Sequence, residues 1–372
     1  MPIIFKEWLA FTRREAYNES IENVLEPNER RNSAVAVTIK ELSAACGLSI
    51  STVSKALNDY PDVSAQTREL VRVTAAKLGY RPSAIARGLK LGRTFSLGVL
   101  YTTNSEEGFT HSYFSPVLEA FKAEAERRGY DITFISNHAG DRKMTYLEHC
   151  LYRNVDGVCI VCSSFSNPQV TELVSGPLPV VTIDHVFHNR SCIESQNRQG
   201  MEELTRYIIS LGHRNIVYIC GEDNAVTGVR TTSFLRAMRD AGLKTPDSCI
   251  VHGKYHNPLA ARKATEMLLA RETRPTCIIM PDDYAALGGM DAIRAAGLRV
   301  PQDISVAGFD GVRLLQMCTP RLTTVAQDTA LIGAAAARKL VHLIEQPRTT
   351  FKETISVPCR LIEGETVASL KL

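Results

Sequence analysis

Residues 37–60 read VTIKELSAACGLSISTVSKALNDY, and the local signals in this stretch set the architecture of the N-terminal part of the chain. Thr38-Ile39-Lys40-Glu41 is a capping box, in which a hydroxyl at the N-cap and a carboxylate three residues on satisfy each other's orphan amides. The helix it starts reaches Gly47, whose missing Cβ permits the left-handed turn that ends a helix. Ser49 can then cap a second helix, ISTVSKALN, after a three-residue turn. Leu42, Ala45, Leu48, Val53 and Leu57 fall where the two helices would pack. Ile50, Ser51, Thr52, Lys55 and Asn58 are left for the other face. A third helix from Ser64 to Leu78 is expected to close the small core with Leu70, Val71, Ala75 and Leu78. The pattern is that of a helix-turn-helix, whose second helix enters the major groove of DNA by its N-terminal end. Spacing alone leaves an ordinary helical hairpin open.

The charge layout points the same way. The 372 residues carry a net charge of only +3, which excludes a generally polybasic protein. From Arg30 to Arg93, however, eleven bases face four acids, a local balance of +7. Residues 1–29 hold three bases against six acids, so about −1 remains for everything after Arg93. A compact basic segment ahead of a neutral body is the layout of a nucleic-acid-binding head. With 44% hydrophobic and 22% charged residues the chain is globular, and its length is enough for two or three domains. No apolar run approaches the roughly 18–20 residues that span a bilayer. The opening MPIIFKEWLAFTRREAYNES interrupts its apolar residues with charges, unlike a signal peptide. Ten cysteines without an export signal fit reduced thiols and a cytoplasmic location.

Four stretches differ in character: an N-terminal extension (1–36), the three-helix head (37–81), a basic connector PSAIARGLKLGRT (82–94), and a long body (95–372). The body alternates apolar runs (FSLGVLY, DITFIS, DGVCIVC, PVVTID, NIVYIC, PTCIIM, DISVAGFD, LTTVAQ) with amphipathic stretches such as SPVLEAFKAEAERRG and VRTTSFLRAMRDAG. That alternation is the signature of parallel strands covered by helices on both faces. The strands are too many for one compact sheet. An α/β body of two doubly wound lobes is therefore expected, with ligands at the carboxyl ends of strands in the cleft between them.

The run from Val37 to Leu100 closely resembles the headpiece and hinge of the lactose-repressor/galactose-repressor family. So do LGHRNIVYI (211–219), RVPQDISVAGFD (299–310) and PRLTTVAQD (320–328). The likeness covers residues 37 to about 362 and leaves the acidic extension outside it. It implies base-reading roles for Ile50, Ser51 and Lys55. Of these, Ile50 suits a thymine methyl, Ser51 is a permissive donor and acceptor, and Lys55 suits guanine O6 and N7. Arginine is frequent at this last position, so lysine gives weaker bidentate discrimination. Thr38, Ser49, Thr52, Ser54, Asn58 and Thr67 suit phosphates, which position without specifying. The connector is implied to be a hinge helix, AIARGLK, too short to persist without DNA. Leu89 then matches the wedge that enters the minor groove, with Ala86, Arg87 and Lys90 alongside.

For the body the resemblance implies a periplasmic-binding-protein-like fold with chain crossings near 194, 325 and 358. It assigns Tyr113 and Phe114 to the cleft edge, Arg230 to an effector's hydroxyls or carboxylates, Tyr255 to stacking, and Asp282 and Asp310 to hydrogen-bond donors. Asp283 is expected to cap a helix. Asp282 stands where asparagine is frequent, and Gln196 where an acid is common. Substituting Arg230 is expected to abolish the effector response without affecting folding. No phosphate-loop, nucleophile-elbow, HExxH or dinucleotide motif occurs. Cys159 and Cys162 point to opposite faces of one strand, and His185 and His188 read as solvated loop residues. No enzyme, cofactor or metal site is expected. The expected function is a dimeric DNA-binding regulator, most readily a repressor. It would be controlled by a sugar or related metabolite, bind a pseudo-palindromic operator and have no membrane partner. The alternatives are an activator of the same family and a solute-binding protein.

Overall fold

The computed structural model describes residues 37–81, 88, 92–102 and 108–370. The chain divides into two compact units, with the division between Arg87 and Gly88.

The first unit holds α1 (Ile39–Cys46), α2 (Ile50–Leu57) and α3 (Ala65–Leu78). Both halves of the capping box form, and Gly47 ends α1 at φ +64°. Leu42, Val53, Ala56, Val63, Val71 and Ala75 make the core. The contribution of α3 is narrower than its hydrophobic residues imply. Val71 and Ala75, one turn apart, are buried, whereas Leu70 and Leu78 are 49% and 40% exposed. Helices of eight residues are too short to cover more than the centre of the α3 stripe. Ala45 also faces outward.

The second unit is two parallel-sheet lobes, as the alternation predicts. The N-lobe begins with β1 (Ser96–Tyr101), α4 (Phe114–Arg127) and β2 (Asp131–Ile135), then a small hairpin of β3 (His138–Ala139) and β4 (Arg142–Lys143). It continues through α5 (Tyr146–Arg153), β5 (Gly157–Cys162), α6 (Pro168–Ser175), β6 (Val180–Ile183) and β7 (Ser191–Ser195). The chain then builds the C-lobe from α7 (Asn197–Ser210), β8 (Ile216–Cys220), α8 (Ala225–Asp240), β9 (Ile250–His252), α9 (Pro258–Leu269) and β10 (Cys277–Ile279). The same lobe adds α10 (Asp283–Ala295), β11 (Ser305–Asp310) and β12 (Thr323–Gln327). It returns for α11 (Thr329–Glu345) and β13 (Thr354–Val357) in the N-lobe and ends with β14 (Cys359–Ile362) in the C-lobe. The crossings at Gln196, Asp328 and Pro358 lie within three residues of those expected.

Strand order is β13-β7-β6-β5-β1-β2 in the N-lobe and β14-β12-β11-β10-β8-β9 in the C-lobe, parallel throughout except that β14 runs against β12. Each sheet thus reverses its winding beside its first strand, and the crevice at the carboxyl ends of β1/β5 and β8/β10 is where such folds take ligands. In the N-lobe, α4 and α11 cover one face of the sheet, and α5 and α6 the other. Gly333 lets α11 approach α4 closely: a Cβ there would lie 2.2 Å from the Val117 carbonyl oxygen. The eight strands read from sequence all form. The short strands β3, β4, β7, β9, β13 and β14 and the helices α5, α6 and α11 lie outside the elements expected from sequence. In α11, nine residues from Ile332 to Leu343 are buried, which blurs the amphipathic period a sequence reading depends on. Among the described residues no helix is long and apolar enough to cross a membrane.

Candidate functional site

In the head, Ser49 caps α2 by accepting the Thr52 amide at 3.0 Å, and its hydroxyl lies 2.8 Å from that of Thr52. With the core side filled by Val53 and Ala56, α2 turns Ile50 (43% exposed), Ser51, Ser54, Lys55 and Asn58 away from the core. The Lys55 ammonium forms an ion pair with Asp62, which raises the lysine pKa and lowers that of the aspartate. The Asn58 amide donates to the Ser54 carbonyl at 2.7 Å, and the Thr67 hydroxyl meets Ser64 at the start of α3. Thr38 serves the α1 cap. Ala86, Leu89 and Lys90 lie outside the described residues.

Where the connector enters the N-lobe it is firmly held. The Asp156 carboxylate accepts the Thr94 and Phe95 amides at 2.9 and 2.8 Å. Arg93 donates to the Ile344 and Glu345 carbonyls at the C-terminus of α11, where a cation also meets the negative end of the helix dipole.

The cleft gathers the predicted effector residues from both lobes. Arg230, on α8, is 3% exposed, so a surface role is excluded. Its Nε donates to Asn197 Oδ1 at 2.8 Å and one terminal nitrogen donates to the Pro281 carbonyl at 3.0 Å. The guanidinium lies 3.5 Å over the Phe309 ring, and its other nitrogen sits 4.0 Å from Asp310. These contacts fix the planar fork before any ligand arrives. Asp310 ends β11 with φ 113°, and Gln327 donates to its Oδ1 at 2.7 Å. Tyr113 is buried with its hydroxyl donating to Asp184 at 2.9 Å, and Phe114 packs edge-on against it. Tyr255 meets the Thr227 hydroxyl at 2.9 Å and lies 5.9 Å from the Arg230 guanidinium.

Two neighbouring carboxylates are placed differently from the expectation. Asp282, expected to face a ligand, is the N-cap of α10: its oxygens accept the Ala285 and His256 amides at 2.8 and 2.7 Å. Asp283, expected as the cap, instead reaches the Thr324 hydroxyl at 2.5 Å and the Val312 amide at 2.7 Å. The N-cap position aims its side chain back at the first-turn amides, so the residue one earlier wins. Burial raises the pKa of both carboxyls. His185 is also not a solvated loop residue, since it stacks on Phe165 with ring centroids 4.1 Å apart.

Four cleft residues escaped the sequence reading: Asp184, Asn197, His111 and His256. Asp184 ends PVVTID as Asp310 ends ISVAGFD, so the strand-end signal was present. Half-buried Asp184 accepts from Tyr113 and from the Ser195 amide at 3.2 Å, and desolvation raises its pKa. His111 precedes Tyr113 and His256 follows Tyr255, but nothing in the spacing brings them together; the lobes do. Asp184, His256 and Asp310 all adopt positive φ, backbone strain of the kind that collects at ligand sites.

Two family descriptions match the chain. "Bacterial regulatory proteins, lacI family" covers residues 38–83, and "Periplasmic binding protein-like domain" covers residues 205–367. The HTH-type transcriptional repressor PurR of Escherichia fergusonii is 34% identical over 339 residues, covering 89% of this chain and 97% of that protein. Its Pasteurella multocida namesake is 32% identical over 314 residues, covering 83% and 92%. Among solved structures, the Lac repressor dimer bound to operator and the anti-inducer ONPF shares 24% identity at TM-score 0.73, covering 90% of this chain and 99% of its own. The transcriptional regulator CelR in complex with cellobiose shares 24% identity at TM-score 0.65, covering 89% and 99%. At these identities the structural likeness speaks for the fold.

Proposed function

The chain belongs to the lacI family of bacterial regulatory proteins, and from that premise we propose that it represses transcription as a homodimer on a pseudo-palindromic operator, under control of a small molecule held between its lobes. It is a DNA-binding transcriptional regulator with a separate effector-binding body, not an enzyme. The carrying observation is α2: capped at Ser49, packed on one side only, and left with Ile50, Ser51 and Lys55 clear of the core. Lys55 exchanges Asp62 for a base edge on binding. An exposed ion pair is worth so little that the exchange is easily made. Leu89, Ala86 and Lys90 are assigned to the minor groove at the operator centre, and Thr38, Ser49, Thr52, Ser54, Asn58 and Thr67 to phosphates and α2 positioning.

In the body, Arg230 and Asp310 supply a fixed donor fork beside a strand-end acceptor, flanked by Tyr113, Phe114 and Tyr255. This combination suits a neutral, hydroxyl-rich or heterocyclic metabolite, with a sugar as the first candidate. Asp282 acts by holding the His256 loop and α10 rather than by touching the ligand. A homodimer accounts for Phe109 and Phe134, which are 60% and 48% exposed and in edge-to-face contact beside a groove of about 580 Å³ between α4 and β2.

Selection of the full-length protein on random double-stranded DNA, followed by sequencing, tests the DNA-reading half. Two inverted half-sites are expected, and enrichment of a single unpaired half-site overturns the dimeric reading. A thermal-shift panel of sugars, polyols and nucleosides tests the other half. A ligand that raises the melting temperature is expected also to change operator affinity, and operator its affinity by the same factor, because coupling is reciprocal; a stabilising ligand with no effect on operator binding overturns its role as effector.

A further inference from the structure

His111 and His256 come from opposite lobes, and their ring centroids lie 3.7 Å apart with the planes inclined by 38°. His111 stands ahead of α4 in the N-lobe and is buried. Its Nδ1 accepts the Tyr113 and Phe114 amides at 3.3 and 3.4 Å. That nitrogen can serve those donors only while it carries no proton. His256 belongs to the loop after β9 in the C-lobe, with its backbone amide pinned by Asp282 and its ring stacked on Tyr284. The charged and titratable groups around the pair are Asp310, 3.6 Å from His256 Nε2; Asp282; Arg230, 4.0 Å from Asp310; and the Asp184–Tyr113 pair.

We propose that the His111–His256 stack is a proton-sensitive latch between the lobes: with His111 neutral the rings hold the cleft shut, and protonating His111 parts them. The latch rests on the reading that the lobes open and close about the crossings, as two-lobed ligand-binding folds do. It does not depend on which effector the cleft takes.

Protonation of His111 in the closed cleft meets three obstacles. Charge enters a buried site, it faces a second imidazole across a contact distance, and the two amide bonds to Nδ1 are lost. Asp310 offsets only part of this. Burial first and His256 second thus push the His111 pKa from the ordinary 6.5 down to about 4. The sign follows from linkage. In the open cleft His111 gains a proton near pH 6.5, and in the closed cleft only near 4, so closure is fully favoured above 6.5 and is lost progressively as pH falls below it. The first unit of pH below 6.5 weakens closure by about fivefold, and the loss approaches roughly tenfold per unit between the two values.

The test follows amide exchange by mass spectrometry in the full-length protein without any effector, with rates corrected for their intrinsic pH dependence. The residue changed lies in one lobe and the peptide read, residues 253–258, lies in the other. In the wild type, protection of that peptide is expected to fall about fivefold between pH 6.5 and 5.5. His111→Asn, whose side-chain oxygen can replace Nδ1 as acceptor but does not titrate, is expected to keep protection constant within about twofold. Asp282 is the rival sensor, since burial brings its carboxyl toward the same window and it holds the His256 amide. If Asp282 is responsible, His111→Asn retains the full response and the latch is refuted. A wild type whose protection does not change with pH refutes it equally. Should His111→Asn fail to fold, His256→Phe with exchange read at residues 108–116 serves instead. There the pH response is expected to shrink by at least half, and an unchanged response overturns the proposal. No effector enters the measurement, so its failure leaves the reading of the cleft as an effector site standing.

Discussion

Arg230 shows how much a single buried cation is asked to do. It holds Asn197 at the first crossing, the Pro281 carbonyl ahead of α10, the Phe309 face and the neighbourhood of Asp310. These contacts argue against removing it without cost to the fold, because its loss strands a buried amide oxygen and a carbonyl. Arg230→Ala is predicted to abolish the effector response and also to lower the unfolding free energy by about 1–3 kcal/mol, measured by urea titration. A variant with unchanged stability would show that these contacts carry no weight. Lys55 is the contrasting case, since its partner Asp62 is exposed and replaceable. Asp62→Asn is predicted to tighten operator binding by about threefold by freeing the ammonium, read by fluorescence anisotropy; weaker binding would mean that Asp62 orders the lysine for the base edge instead.

At the scale of elements, the anchoring of the connector matters most. Arg93 ties its exit to the end of α11, the helix that begins at the second crossing and packs along α4. Movement of one lobe against the other thereby has a rigid element of seventeen residues through which to reach the connector. Arg93→Ala is predicted to weaken operator binding several-fold while leaving effector binding within twofold. Equal losses in both would place Arg93 in general stability. Gly333 sets the α4–α11 distance, so Gly333→Val is predicted to destabilise the body by about 1–3 kcal/mol through overpacking, seen as a lower melting temperature. The α1 and α2 boundaries were legible because their caps are local chemistry: Thr38 with Glu41, Gly47, and Ser49 with Thr52. The α11 helix was not, because burial on several sides erases the periodicity that would reveal it.

For the whole molecule, the uneven distribution of a small net charge has a thermodynamic consequence. Operator binding is predicted to fall steeply with salt, since the +7 segment displaces counterions from phosphates, with a log–log slope of several units in a titration from 50 to 200 mM salt. A flat dependence would contradict phosphate contact. The sequence alone determined the three-helix head, the α/β class and the existence of two lobes, because capping, turn chemistry and β–α alternation act over a few residues; that the head reads DNA came from the family likeness, since spacing alone also fits a helical hairpin. The family likeness in it also pointed to Arg230 and Tyr113, and its strand end to Asp310. What the tertiary structure decided was which carboxylate is free and which is spent. Asp282 proved a helix cap, Asp283 a bridge to Thr324, and Asp184 the partner of Tyr113. It also decided that two histidines 145 residues apart in sequence share one contact. Such pairings depend on how two separately folded lobes close on each other, a long-range geometry to which no local pattern of residues is sensitive.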